Sequence, residues 1–230
     1  MTTESLTFQA TSEARVSARL QVPESPRALL VLGHGAGADM THAHMQAIAD
    51  VLARRDVATL RYNFPYMEAG GKRTDKPATC IETIDNAISL AASRMAIRPL
   101  IAGGHSFGGR MTSHFAADVK DAGERLDGLA YFSFPLHPAK KPDVKRAAHL
   151  PGITLPQLFL SGTRDDLADR FLLRDVVATL PNATLHELDT ADHGYRILKR
   201  TRTSIEDVYE EAGRVFASWL DTLTTGHNLP

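Results

Sequence analysis

The chain of 230 residues is 43% hydrophobic and 23% charged, the composition of an ordinary globular domain rather than of a disordered, collagenous or coiled-coil protein. Its 26 Lys and Arg nearly balance 27 Asp and Glu, so no net charge draws it to nucleic acid or to an anionic membrane. The single Cys80 excludes a disulfide framework, and no stretch approaches the ~18 apolar residues of a membrane span. We therefore expect a cytoplasmic protein without nucleic-acid or membrane partners.

Short aliphatic runs alternate with longer segments of helical periodicity, a pattern that indicates an α/β protein with a mainly parallel sheet. The first two strands, at 6–10 and 16–22, are close in sequence and are expected to pair antiparallel. Further strands are predicted at 28–32, 57–62, 98–104, 129–134, 157–161 and 183–188. Helices are predicted near 41–55, 78–96, 107–120, 167–180 and 204–223, the last with Ile205 and Val208 on its apolar face. No repeat or linker divides the chain, so we predict a single domain over residues 1–230.

The sequence G-H-S-F-G, residues 104–108, lies between a predicted strand and a predicted helix. This is the context of a G-x-S-x-G nucleophile elbow, in which the serine occupies a tight turn and the glycines let neighbouring backbone pass close by. Ser106 is therefore the candidate nucleophile, although the motif alone also fits an ordinary glycine-rich turn. An overlapping match to a phosphate-binding loop fails, because Arg110 and Met111 stand where a lysine and a hydroxyl are required.

A serine nucleophile needs a histidine base, and the base needs an acid that holds its tautomer. In the fold that uses this elbow, the chain order is nucleophile, acid, histidine. Asp165 and Asp166 follow the strand at 157–161, and His193 follows the strand at 183–188. All these groups leave the same edge of a parallel sheet, where ligands gather. His193 is therefore the candidate base rather than an exposed loop histidine.

A second glycine-rich loop, G-H-G-A-G-A-D at 33–39, follows the strand at 28–32. It fits a dinucleotide fingerprint formally, but the next strand ends R-Y-N and lacks the ribose-binding acid. We interpret it instead as part of an oxyanion hole, in which the backbone N–H groups of Ala36 and Phe107 act together while His34 shapes the loop.

The sequence predicts neither a metal site nor a cofactor site. Asp39, His42 and His44 are close in sequence, but the two histidines start a helix with their rings pointing apart, and no further ligand follows at a suitable spacing. Cys80, on a predicted helix, is interpreted as a small core residue.

Five segments together resemble the α/β-hydrolase superfamily over nearly the whole chain. They are L-G-H-G-A-G-A-D-M (32–40), R-Y-N-F-P-Y-M (61–67), G-G-H-S-F-G-G-R (103–110), L-F-L-S-G-T-R-D (158–165) and A-D-H-G-Y (191–195). Within the superfamily the chain is most similar to the small hydrolase-like family that includes testis-expressed protein 30 and uncharacterised bacterial predicted hydrolases, neighbours of the dienelactone hydrolases.

The resemblance implies a mainly parallel sheet of about eight strands with helices on both faces, and a catalytic triad of Ser106, Asp165 and His193. It favours Asp165 over Asp166, because the acid of the family is the third residue after the glycine of G-x-x-D. Asp166 is then expected to cap a helix that begins near Leu167. Dienelactone hydrolases carry cysteine as the nucleophile, so their lactone specificity is not transferred.

We therefore expect a serine hydrolase of carboxylesterase or thioesterase type that acts on a small acyl substrate, the alternative being a non-catalytic binding protein on the same fold. Four prolines between 135 and 155 argue against a separate lid domain. Basic residues in the surrounding loops are interpreted either as solvated charges or as an attraction for an anionic substrate. They are Lys72, Arg73, Lys76, Lys140, Lys141, Lys145, Arg146 and Arg164.

Overall fold

The structure, a computed structural model, describes residues 1–225, so the last five residues of the predicted domain lie outside it. Within this range eight strands form one sheet: β1 (Thr2–Gln9), β2 (Arg15–Val22), β3 (Ala28–Gly33), β4 (Val57–Tyr62), β5 (Leu100–His105), β6 (Gly128–Phe132), β7 (Gln157–Gly162) and β8 (Ala183–Leu188). Their order across the sheet is β1-β2-β4-β3-β5-β6-β7-β8. β2 pairs antiparallel with β1 and β4, and all other pairs are parallel. The predicted fold class is confirmed.

Helices cover both faces of this sheet. In chain order they are α1 (Ala43–Ala53), α2 (Pro65–Glu68), α3 (Pro77–Arg94), α4 (Phe107–Asp118), α5 (Ala122–Arg125), α6 (Arg170–Ala178) and α7 (Val208–Thr225). The apolar sides of α1 and α7 pack into one core cluster, and those of α3, α4 and α6 pack into the other. Among the helices in the described range, none is both long enough and apolar enough to cross a membrane.

The central strands are apolar on both sides because each face of the sheet is covered. In β3, Leu29 and Val31 belong to the cluster under α3 and α4, whereas Leu30 and Leu32 belong to the cluster under α1 and α7. All four side chains are fully buried. This double burial explains why the sequence shows uninterrupted aliphatic runs rather than alternation.

Two helices begin later than their periodicity predicts. α6 begins at Arg170, and its N-cap is Asp169, whose Oδ1 accepts hydrogen bonds from the N–H groups of Phe171 and Leu172, both at 3.0 Å. The expectation that Asp166 caps this helix was therefore wrong. α7 begins at Val208, so Ile205 precedes the helix and is fully exposed instead of lying on its apolar face.

The segment 135–155 forms no separate lid domain, in agreement with the prediction. It contains two short 3₁₀ turns, Lys145–Ala147 and Leu150–Gly152. Leu136, Leu150 and Ile153 are buried against the body of the protein, whereas Val144 is exposed. His149 Nε2 lies 2.7 Å from the Oγ of Ser113 on α4. The segment is thus a short covering held on α4.

Candidate active site

The turn between β5 and α4 carries Ser106 in a strained backbone conformation. Its φ of 52° and ψ of −114° are unusual for a residue with a side chain. The turn packs tightly against the end of β3: a Cβ on Gly104 would lie 2.6 Å from the carbonyl oxygen of Gly33, and one on Gly108 would collide with the same carbonyl group. Both motif positions therefore require glycine, as a nucleophile elbow demands.

The loops after β5, β7 and β8 bring Ser106, Asp165 and His193 together. His193 Nε2 lies 2.7 Å from Ser106 Oγ, and His193 Nδ1 lies 2.8 Å from each carboxylate oxygen of Asp165. The Asp165 side chain is completely buried, whereas 22% of the His193 side chain is exposed. Asp166 is exposed on the surface and makes no hydrogen bond to His193. The serine hydroxyl can therefore donate to Nε2 while Nδ1–H donates to the carboxylate.

Backbone hydrogen bonds join the loop that carries the acid to the loop that carries the histidine. The Arg164 N–H donates to the Ala191 carbonyl at 2.9 Å, and the Thr163 N–H donates to the Leu188 carbonyl at 3.1 Å. Asp192 is a turn residue, since its Oδ1 accepts from the N–H groups of Gly194 and Arg196 at 2.9 Å each. Backbone hydrogen bonds thus hold the loops of Asp165 and His193 together as one unit.

A half-buried histidine to which the sequence analysis gave no role, His105, supports the loop of His193. Its Nε2–H donates to the His193 carbonyl oxygen at 3.0 Å. Burial lowers the pKa of His105 to about 4, so its ring is neutral near pH 7. The ring centroids of His44 and His105 are 4.3 Å apart. Burial, together with the neighbouring histidines, lowers the pKa of His44 to about 2. No sequence signal marks this contact, because the partner of His105 lies 88 residues away.

Ala36 and Phe107, the candidate oxyanion donors, line the same cleft as Ser106. Phe107 is the first residue of α4, where helix N–H groups have no intrahelical partner. The loop of Ala36 is held by His34, which is fully buried: its Nε2 accepts from the Phe64 N–H at 3.1 Å, and its Nδ1–H donates to the Gly35 carbonyl at 2.8 Å. Burial lowers the pKa of His34, so this ring shapes the loop in its neutral form.

The cleft has a volume of about 440 Å³ and is partly open to solvent. Of the eight basic loop residues named from the sequence, Arg146 lines this cleft. Arg164 lines a neighbouring depression together with Asp165. Arg110, whose side chain the sequence analysis did not connect with substrate, lines the cleft as well. Most of the predicted basic rim is thus not part of the cleft.

The three residues that are close in sequence near the start of α1, Asp39, His42 and His44, have partners within the protein. Asp39 accepts hydrogen bonds from the N–H and the hydroxyl of Thr41, both at 2.7 Å. His42 caps α1 through its Nδ1, and His44 Nδ1 lies 2.8 Å from the hydroxyl of Tyr209. Across residues 1–225 no three His, Cys, Asp or Glu side chains are grouped so that they could hold a metal ion.

Residues 26–221 match the family model described as alpha/beta hydrolase domain. The chain belongs to this alpha/beta hydrolase family. Its fold is similar to that of a dienelactone hydrolase from Anabaena variabilis, with a TM-score of 0.74 at 16% identity over 96% of this chain and 97% of that chain. For an esterase domain from Rhodothermus marinus the TM-score is 0.69 at 19% identity, over 95% of this chain and 98% of that chain. For a serine hydrolase without a lid from Xanthomonas campestris the TM-score is 0.68 at 15% identity, over 99% of this chain and 97% of that chain.

Proposed function

We propose that this alpha/beta hydrolase cleaves a small ester or thioester through a covalent acyl-enzyme, with Ser106 as nucleophile. The observation that carries the proposal is the continuous chain of hydrogen bonds from Asp165 through His193 to Ser106 Oγ, with every link between 2.7 and 2.8 Å. A hydroxyl in this setting can lose its proton to the imidazole as it attacks, and the buried carboxylate stabilises the imidazolium that forms.

The reaction then follows from these positions. Ser106 Oγ attacks the acyl carbon while its proton passes to His193 Nε2, and the carbonyl oxygen becomes an oxyanion. The N–H groups of Ala36 and Phe107 stabilise that oxyanion. The intermediate collapses as the leaving alcohol or thiol takes the proton from Nε2. A water molecule, deprotonated by the same nitrogen, releases the acyl group and restores Ser106.

The size and openness of the cleft support a small substrate. A volume of about 440 Å³ is at the lower end of the range for small-molecule sites. The covering segment 135–155 leaves His193 partly exposed. Three of the similar structures are described as an esterase domain, a cold-adapted esterase and a serine hydrolase without a lid. We retain a cytoplasmic location as part of the proposal, because Cys80 is buried and has no cysteine partner in the sequence.

A fluorophosphonate probe tests the proposal, because it phosphonylates an activated serine and leaves ordinary serines unmodified. Wild-type protein and Ser113→Ala should be labelled, whereas Ser106→Ala should not. Ser113 is a matched control: its Oγ also lies 2.7 Å from a histidine nitrogen, but it is fully buried and donates to the Arg110 carbonyl. Folded wild-type protein that resists the probe and cleaves no activated ester would favour a non-catalytic binding protein.

A further inference from the structure

Two arginines from different parts of the chain line the cleft that contains Ser106. Arg110 lies on the first turn of α4, where its N–H donates to the Ser106 carbonyl at 3.0 Å. Residues four apart on a helix lie on the same face, so the Arg110 side chain starts one turn from the nucleophile. Arg146 approaches from the 3₁₀ turn Lys145–Ala147. Both side chains are half-buried.

Neither guanidinium has an acidic partner. Across residues 1–225, no carboxylate oxygen lies within ion-pair distance of either group, in contrast to Arg170 and Arg202, which pair with glutamates. The Arg110 Nε is buried, and its guanidinium has no hydrogen-bond acceptor within the described part of the chain. Arg146 has one long hydrogen bond, 3.5 Å, to the Pro135 carbonyl. Groups with five donors each are thus left with almost no acceptors.

The surroundings keep the two charges close together. Burial and then the neighbouring charge of Arg146 lower the pKa of Arg110. The contact between His149 and Ser113 holds the segment of Arg146 against α4. Asp75, the carboxylate that also lines the cleft, accepts from the Tyr66 N–H at 2.9 Å and forms no ion pair with either arginine. Buried polar groups are ordinarily bonded, so the partnerless buried Nε of Arg110, in the same cleft as a second arginine that has no carboxylate partner, indicates a place for an anion.

We propose that Arg110 and Arg146 form a subsite for an anionic group of the substrate, a carboxylate or a phosphate, while Ser106 attacks its acyl carbon. The inference rests on the proposed serine hydrolase function and adds the substrate class. Guanidinium groups match both anions through paired N–H donors. The remaining wall of the cleft is largely apolar, including Phe107, Met111 and Leu167, and suits a short carbon chain between the ester and the anion.

The test compares kcat/KM for three 4-nitrophenyl esters of matched length. One ends in a carboxylate (the adipate monoester), one in a phosphonate, and one in the neutral methyl ester of the adipate. At low salt the wild-type protein should prefer at least one anionic ester over the neutral one by about 10- to 100-fold, as expected for charge-assisted hydrogen bonds. Which anion gains more distinguishes a carboxylate from a phosphate substrate. The preference should shrink between about 0.01 and 0.5 M NaCl.

Arg110→Gln and Arg146→Gln should each lower the ratio of anionic to neutral kcat/KM by about tenfold. Lys145→Gln is the matched control, since it removes the same charge from the same turn at an exposed residue outside the cleft, and it should keep the wild-type ratio. Circular dichroism establishes that each variant is folded, and two separate arginine variants keep the test valid if one of them is not.

Equal kcat/KM for all three esters, with Ser106 labelled by the probe, would overturn the subsite and leave the proposed function standing. A ratio that Lys145→Gln lowers as much as the arginine variants do would also overturn it, because a diffuse field would then explain the preference. Absence of both labelling and turnover would overturn the proposed function and this inference together.

Discussion

Replacing Asp165 with asparagine should abolish most of the activity and leave the fold in place. Two donors reach the Asp165 carboxylate: the His193 Nδ1–H is shared between its two oxygens, with Nδ1 2.8 Å from each, and the Leu167 N–H donates to Oδ1 at 2.8 Å. The asparagine oxygen can still accept from Leu167, which turns the amide NH₂ toward Nδ1. His193 must then adopt the tautomer with its proton on Nε2, and that nitrogen can no longer accept the proton of Ser106.

The expected loss in kcat is about 10³- to 10⁴-fold, or roughly 4 to 5.5 kcal/mol of transition-state stabilisation. The free energy of unfolding should change by only about 1 kcal/mol, because one hydrogen bond to a neutral imidazole is lost and a buried charge is removed. Steady-state hydrolysis of a 4-nitrophenyl ester gives kcat, and thermal unfolding followed by circular dichroism gives Tm.

The matched control is Asp166→Asn, which removes a charge from the adjacent, exposed residue. It should leave kcat within about twofold of the wild type, because Asp166 makes no bond to His193, and its Tm should not fall. The reasoning is refuted if Asp165→Asn keeps more than about a tenth of the wild-type kcat, or if Asp166→Asn is the variant that loses activity.

Three further outcomes are expected. Asp169→Ala removes the N-cap of α6 and should lower the free energy of unfolding by about 1 kcal/mol, which corresponds to a decrease in Tm of roughly 2 to 4 °C. The kcat should not change, and an unchanged Tm would contradict the assignment of Asp169 as a stabilising N-cap. Gly108→Ala should destabilise the elbow and reduce labelling of Ser106, whereas Gly123→Ala, with open space around its Cβ, should affect neither. The pKa of His105 is about 4 in the folded protein and near 6.5 in the unfolded chain, so between these pH values only the unfolded state binds the proton. The contribution of His105 to the free energy of unfolding should therefore fall by on the order of 1 to 3 kcal/mol as the pH decreases from about 6.5 to about 4. In urea unfolding at pH 7 and about pH 4.5, His105→Phe should reduce the pH dependence of stability by the His105 contribution, whereas His44, whose pKa is also lowered by burial, keeps its own; equal dependence in the variant and the wild type would exclude a contribution from His105.

The sheet could be predicted because the buried strands carry their signal locally. The strands β3, β5 and β7 are short apolar runs that end in glycine or histidine at the carboxyl edge. Because the carboxyl ends of parallel strands lie at one edge of the sheet, the sequence alone predicts that Ser106 and His193 are close together. The first residue of a helix was harder to predict than the strands, because it depends on which side chains are free to cap the helix in the folded protein. The Leu167 N–H donates to Asp165, which its contact with His193 holds in place, and α6 therefore starts at the next capping residue, Asp169.

Arg146 was one of eight basic residues named as a possible attraction for an anionic substrate, but its proximity to Arg110 and the role of His105 could not be predicted, because both depend on groups distant in sequence or on partners that are missing. Arg110 and Arg146 are 36 positions apart, and each alone looks like an ordinary surface charge. The two arginines differ from ordinary surface charges because no carboxylate pairs with either of them, and only the folded structure shows where the acidic side chains around the cleft lie. His105 occupies a variable position of the G-x-S-x-G motif, so the motif carries no information about it.

The contact of the Ser106 turn with the end of β3 divides the site into two parts with separate supports. An ideal Cβ on Gly104 or on Gly108 would lie 2.6 or 2.4 Å from the carbonyl oxygen of Gly33, so the Ser106 turn is packed directly against the start of the loop that carries Ala36. Asp165 and His193 form the second part, which the backbone hydrogen bonds between their own loops hold together. Two contacts join the parts: the one between Ser106 Oγ and His193 Nε2, and the hydrogen bond from His105 to the His193 carbonyl. The relative position of Ser106 and His193 therefore depends on His105 as well as on the two side chains themselves.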